Sequence, residues 1–230
     1  YTLSLHDALP ICKPGRTATP QLSEMVEAVI FNPTWTVPQS IVKGEGLGAK
    51  VLNNPGWARA NNYTATKGAN GWITVVQQPG PGNSLGLMKL DMPNPHAIFF
   101  HDTPAKSLFA RDVRALSHGC IRVQGARELA MTMAMLGNAE SREDLPAIQQ
   151  EVSEITASGK YTRYPMEKQW PAYITYFTYG VDVNGELRQF DDIYGRDAPV
   201  LAALDAPRQD DRARETSEEA VEIVDDLQTS

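Results

Sequence analysis

Short runs of β-branched and aromatic residues, each cut off within five to seven positions by a turn or a charged stop, set the tightest limit on how this chain can fold. MVEAVIF (25–31) ends in NPTW, and WITVVQQ (72–78) ends in PGPGNSLG. LMKLDM (87–92) alternates and ends in PNP, and HAIFF (96–100) runs straight into His101. Runs this short and this β-rich predict strands. The helical period appears later. GARELAMTMAMLGN (125–138) carries apolar residues at helical spacing and closes on Gly137-Asn138, and REDLPAIQQEVSEITASGK (142–160) predicts a second, shorter helix. Met131, Met133 and Met135 then read as a core-packing helix face. AYITYFTYGVDVNGELRQFDDIY (172–194) predicts a hairpin turning at Asn184-Gly185.

Between these signals, residues 37–72 change to short polar and apolar pieces rich in Gly, Asn and Pro, with room for a short helix over 41–51 that NNPGW breaks. This stretch predicts an insertion or lid rather than sheet. The opening YTLSLHDALPIC has no period of 2 or 3.6, and residues 1–13 read as non-native or disordered, which takes weight from His6 and Cys12. The charged stretch 201–230 reads as a solvated helix or disordered tail. One domain is expected over residues 14–200.

Charge and composition exclude several function classes. A net charge of −7, with 21 basic residues scattered along the chain, argues against a nucleic-acid partner. No stretch approaches the roughly 20 apolar residues of a membrane helix. Two cysteines and four histidines, without CxxC or HExxH spacing, give neither a disulfide framework nor a zinc site.

Chemistry concentrates instead at ALSHGCIRVQ (115–124), where Cys120 stands behind Ser117, His118 and Gly119 and ahead of Arg122. A thiol becomes a nucleophile when a neighbouring group takes its proton, and imidazole is the usual partner. His118 is close in sequence but leaves little room for a substrate. His101, at the end of a predicted strand, is the preferred base. Gly119 permits close approach of main-chain N–H groups to one spot, as an oxyanion hole requires. Arg122 would share a strand face with the sulfur and could hold a carboxylate bidentately. Singly, each residue has an ordinary structural reading: a buried thiol, a satisfied histidine, a surface arginine. Together they form a compact polar cluster between a strand and a helix.

The segment HDTPAKSLFARDVRALSHGCIRV (101–123) resembles the signature of the L,D-transpeptidase (YkuD-type) catalytic domain, a histidine followed after about fifteen residues by Ser/Thr-His-Gly-Cys. The resemblance covers residues 14–198 through NPTWTVPQSI, NNPGW, QQPGPGNSLG and DIYGRD, and looks most like the larger periplasmic enzymes of Gram-negative bacteria with a helical capping insertion. Residues 37–72 would be that cap. Many members carry Asn at the position of Arg122, whereas the capped subgroup carries Arg. The family's opening strands are replaced here by residues 1–13 and its upstream peptidoglycan-binding module is missing, so an N-terminally truncated piece is expected.

The resemblance implies an α+β fold, mainly β with helices: a two-sheet sandwich with a helix packed on it. It implies that Cys120 attacks the carbonyl joining the L-centre of diaminopimelate to D-Ala in a tetrapeptide stem, that His101 moves the protons, and that N–H groups near His118, Gly119 and Cys120 hold the oxyanion. A diaminopimelate amine would resolve the thioester into a 3→3 cross-link, with Arg122, Ser117, Arg114 and Trp72 binding substrate and Asp102 and Ser117 orienting the imidazoles. Trp35, Trp57 and Tyr63 would join Trp72 in the cap. Carbapenem-type inhibitors would acylate the thiol, no metal or cofactor is implied, and the setting would be the periplasm or cell envelope. A thiol hydrolase, a lipoprotein-attaching relative or a non-catalytic peptidoglycan-binding domain on the same fold are the alternatives.

Overall fold

The computed structural model describes residues 19–111, 120–182 and 184–206. One compact unit reaches Tyr194 and a second begins at Gly195. The first is α+β, as expected.

Its larger sheet has five strands in the order β7-β6-β5-β1-β8: β1 (Leu22–Phe31), β5 (Met88–Asp91), β6 (Phe100–His101), β7 (Ile121–Arg122) and β8 (Thr162–Ile174). Every neighbouring pair is antiparallel except β6 with β7, which is parallel. The register puts Val29 opposite Leu90 and Phe31 opposite Met88, all four buried in one core. Val26 joins them although it lies three positions before Val29, an odd spacing for one strand face. The pairing is irregular there: between Val26 and Ala28 the partner on β8 jumps from Trp170 to Pro165, so the extra residues lie on β8 and the regular alternation of β1 breaks at that point. Over that side lie α4 (Ala126–Asn138) and α5 (Leu145–Ala157). Ala126, Ala130 and Ala134 are buried at four-residue spacing, so the helix seats closely on the sheet. Met131, Met133 and Met135 pack against the same core.

The smaller sheet runs β2-β4-β3, with β2 (Trp35–Thr36), β3 (Tyr63–Lys67) and β4 (Ile73–Gln77), all antiparallel. It carries its own helical layer, α1 (Gln39–Gly44), α2 (Leu47–Asn53) and α3 (Pro55–Ala60), around a second core of Val37, Val42, Val51, Ala58 and Val75. Residues 37–72 therefore contain sheet as well as helix, which corrects the expectation of a sheet-free insertion. Thr64, Thr66 and Lys67 are exposed on β3, so YTATK reads as polar, and its pairing with β4 makes it a strand. NNPGW starts a helix rather than merely ending one, since Pro55 occupies the first turn, where its missing N–H costs nothing.

Two further expectations shift. The predicted strand 96–100 shrinks to Phe100–His101, because Asn94 captures the backbone ahead of it: Oδ1 accepts from the N–H groups of His96 and Ile98, and Nδ2 donates to the carbonyls of Met92 and Ile98. The strand predicted from residue 172 begins ten residues earlier, at Thr162. Pro165 and Pro171 hide it in the sequence, and β8 tolerates them because it is the edge strand. The hairpin follows as predicted, β9 (Tyr179–Val181) against β10 (Leu187–Gln189), with Gly185 at φ 83° in its turn. In the second unit, α6 (Asp197–Asp205) exposes Val200, Leu201 and Leu204. The rest of the predicted tail lies outside the described residues.

Asn83 is the buried side chain that stitches the loop from β4 to β5. Asn83, 1% exposed, donates through Nδ2 to the carbonyls of Pro33, Gln77 and Gln78 and accepts the Leu85 N–H at 2.8 Å. Asn83→Ala strands these groups without partners and is expected to lower the unfolding free energy by about 2–3 kcal/mol. Urea denaturation measures this, and a midpoint unchanged from the parent would refute it.

Candidate functional site

The sheet face opposite α4 and α5 carries the described residues singled out from the sequence. Register places Lys89 on β5 directly opposite His101 on β6, and His101 directly opposite Arg122 on β7. Three basic side chains thus stand in one row with the histidine in the middle. Main-chain bonds from Ile121 N–H to Phe99 O at 3.0 Å and from Val123 N–H to His101 O at 2.9 Å hold β7 in this register. Cys120 immediately precedes β7, so it stands diagonally across from His101 on the neighbouring strand.

His101 is 5% exposed. Its Nδ1 meets the main-chain carbonyl of Asp102, and a carbonyl only accepts, so Nδ1 carries the proton and Nε2 keeps its lone pair. Burial pushes the imidazole down to about 4, aided by the charges of Arg122 and Lys89 and opposed by the Asp102 carbonyl and carboxylate. At neutral pH the ring is uncharged. The Cys120 Sγ–H donates to the carbonyl of Ala97 at 3.7 Å. Ala97 has φ 51°, a left-handed conformation imposed by the Asn94 turn, and this brings its carbonyl to the sulfur.

Asp102, expected to help orient an imidazole by a hydrogen bond, meets the His101 ring through its main-chain carbonyl. The carboxylate is spent on anchoring that carbonyl: Oδ2 accepts the Leu87 N–H at 2.9 Å, and Oδ1 pairs with Lys106, whose Nζ also donates to Gln124 O at 3.3 Å. Gly86 makes room for it. At φ 63°, a Cβ on residue 86 would lie 2.5 Å from Asp102 Cβ.

Beside this row opens a cavity of about 250 Å³ walled by Lys89, Phe99, Trp35, Leu85 and Tyr161. Lys89 Nζ sits 4.3 Å from the centre of the Phe99 ring, and that ring meets His101 edge-on at 6.0 Å between centres. Of the aromatic residues expected to cap the site, Trp35 alone lines this cavity. Trp57 and Tyr63 stack on each other at 5.5 Å, and Trp72, 47% exposed, carries Lys43 over its ring. Trp72 precedes β4, about 17 Å along the strand from Gln77, the partner of Trp35. It stands apart from the row. Lys89 and Phe99 were missed in the sequence because only the strand register shows them flanking His101.

Arg114, Ser117, His118 and Gly119 lie outside the described residues. Among the described residues, no group of three His, Cys, Asp or Glu side chains is gathered to hold a metal, and no helix is long and apolar enough to cross a membrane.

The family profile described as YkuD, the L,D-transpeptidase catalytic domain, matches residues 8–138. The match begins inside the stretch 1–13 and takes in His101, Cys120 and Arg122. A Haemophilus influenzae protein named "Putative L,D-transpeptidase" is 29% identical over 201 residues, 80% of this chain. The chain spans 39% of the length of that relative.

Proposed function

Because the chain belongs to the L,D-transpeptidase (YkuD) catalytic-domain family, we propose that it is a cysteine acyltransferase of the bacterial cell envelope that joins peptidoglycan stem peptides by 3→3 cross-links. The observation that carries this reading is the fixed tautomer of His101: with Nδ1–H held by the Asp102 carbonyl, the lone pair of Nε2 is left to act as a base, one strand away from Cys120.

Cys120 attacks the carbonyl between the L-centre of diaminopimelate and D-Ala while His101 Nε2 takes the thiol proton. Main-chain N–H groups at His118, Gly119 and Cys120 hold the oxyanion. The C–N bond breaks, the imidazolium gives its proton to the departing amine of D-Ala, and a thioester remains. Burial and two neighbouring cations make that imidazolium a strong acid, which suits it to protonating a leaving amine. Arg122, flanking the nucleophile, holds a donor carboxylate, with Arg114 and Ser117 assisting it. A second diaminopimelate amine then attacks the thioester, its proton passes through His101 to the sulfur, and the thiol is restored.

The test is the intact mass of the chain after exposure to a carbapenem, followed by product analysis with a tetrapeptide stem. One covalent adduct, D-Ala release and a 3→3-linked dimer are expected. No adduct on a chain shown to be folded overturns the proposal; release of D-Ala with a free tripeptide as the sole product makes the protein a hydrolase instead.

A further inference from the structure

In the acylation step Lys89 acts only through its charge on His101 and meets neither the donor nor the sulfur. It is half-buried, lies over the Phe99 ring and, among the described residues, pairs with no carboxylate. A cation placed this way beside a cavity is arranged for a ligand's negative charge rather than for the fold.

We propose that Lys89 and the adjoining cavity form the acceptor subsite, in which Lys89 binds the carboxylate of the amino-acid centre whose amine attacks the thioester. This rests on the acyltransferase reading above. The row has two flanks. Cys120 and Arg122 occupy the β7 side of His101, so the bound acyl group lies there; Lys89 and the cavity occupy the β5 side. The acceptor amine must reach the thioester carbonyl and surrender its proton to His101, so it enters from the open flank.

An amino-acid centre carries amine and carboxylate on one carbon, and directly opposed residues of antiparallel strands have Cβ atoms about 5 Å apart. Lys89 Nζ lies 4.3 Å from the centre of the Phe99 ring, itself 6.0 Å from the His101 ring, so a carboxylate on Lys89 brings its own amine towards His101. The cavity, about 250 Å³, approaches the smaller ligand pockets in size. Its wall combines the rings of Trp35 and Phe99 with the hydroxyl-bearing Thr34, Thr36 and Tyr161, which can meet peptide polar groups. In the step itself the free amine forms the new C–N bond, the C–S bond breaks, and the amine proton travels through His101 Nε2 to the departing sulfur.

The experiment compares two acceptors with one tetrapeptide donor: a diaminopimelate stem peptide with its D-centre carboxylate free, and the same peptide with that group as carboxamide. The parent is expected to favour the acid about tenfold through KM. Lys89→Gln should bring the ratio close to one by raising KM for the acid while kcat holds, and Lys89→Arg should restore most of the preference. Any effect of Lys89 on the basicity of His101 touches both acceptors alike and cancels in the ratio. Carbapenem acylation of Lys89→Gln should stay within a few-fold of the parent, showing that the donor side is intact. An unchanged ratio in Lys89→Gln, or loss of carbapenem acylation in step with loss of acceptor use, overturns the assignment of Lys89 and leaves the acyltransferase reading standing. A parent that forms no adduct overturns both.

Discussion

Cys120→Ala is expected to take up no carbapenem, and His101→Gln to form the adduct about a thousandfold more slowly than the parent. The two losses differ in kind. Without the sulfur there is nothing to acylate, so intact mass should show only the unmodified chain. Without the imidazole the thiol remains, and its residual acylation should rise with pH as the solvent takes over deprotonation. In the parent, the acid limb of acylation should fall at about pH 4, below the usual 6.5 of an imidazole, because His101 stays neutral down to that point.

The same group links pH to stability. Its folded value lies below its unfolded one, so the unfolded chain binds the extra proton, and the contribution is complete above pH 6.5 and lost as pH falls towards 4. A shift of that size corresponds to at most about 3 kcal/mol. His101→Gln should flatten the melting temperature across this window. Glu143, Asp144 and Asp182 also have lowered values, but as carboxylates they act below about pH 4.5 and remain in the variant. A variant with an unchanged pH 4–6.5 slope would show that His101 titrates normally.

Gly86→Ala should damage both stability and chemistry. Residue 86 lies at φ 63°, where an L side chain is strained, and its new methyl would press on the Asp102 side chain down to its Cβ. A flexible side-chain end could swing away; Asp102 is 6% exposed and tied to Leu87 and Lys106. The chain must move instead, and the carbonyl that fixes the His101 tautomer moves with it. A loss of about 2–4 kcal/mol is expected from strain and overpacking together, with carbapenem acylation falling at least tenfold in the fraction that stays folded. A variant that melts and acylates like the parent would mean that Asp102 has slack the structure does not show. Asp102→Asn separates the effects, since it keeps the Leu87 bond and loses the charge on Lys106.

Several strands were legible because their residues are apolar at the right period: β1, β4 and β5 fall where MVEAVIF, WITVVQQ and LMKLDM predict them. Helices α4 and α5 were equally plain. β3 was not, because one face of YTATK meets water and the pairing partner that makes it a strand lies across a turn. β8 was not, because two prolines contradict a strand everywhere except at a sheet edge. At the candidate site, the motif spacing singled out Cys120 and His101, and the strand register brings them to neighbouring strands. Lys89 was not, since nothing in LMKLDM distinguishes a lysine facing solvent from one facing a histidine until the register is known. Nor was the role of the Asp102 carbonyl, because backbone groups leave no trace in residue identity.

The hydrogen bond from Cys120 to Ala97 bears on how the protein survives between turnovers. Peroxide and disulfide exchange both consume thiolate rather than thiol. A proton directed at a carbonyl, beside an imidazole that resists becoming positive, favours the thiol against the pull of Arg122 towards the thiolate. On the acyltransferase reading, a sulfur held in this way would be spared from oxidants while the site waits for a substrate.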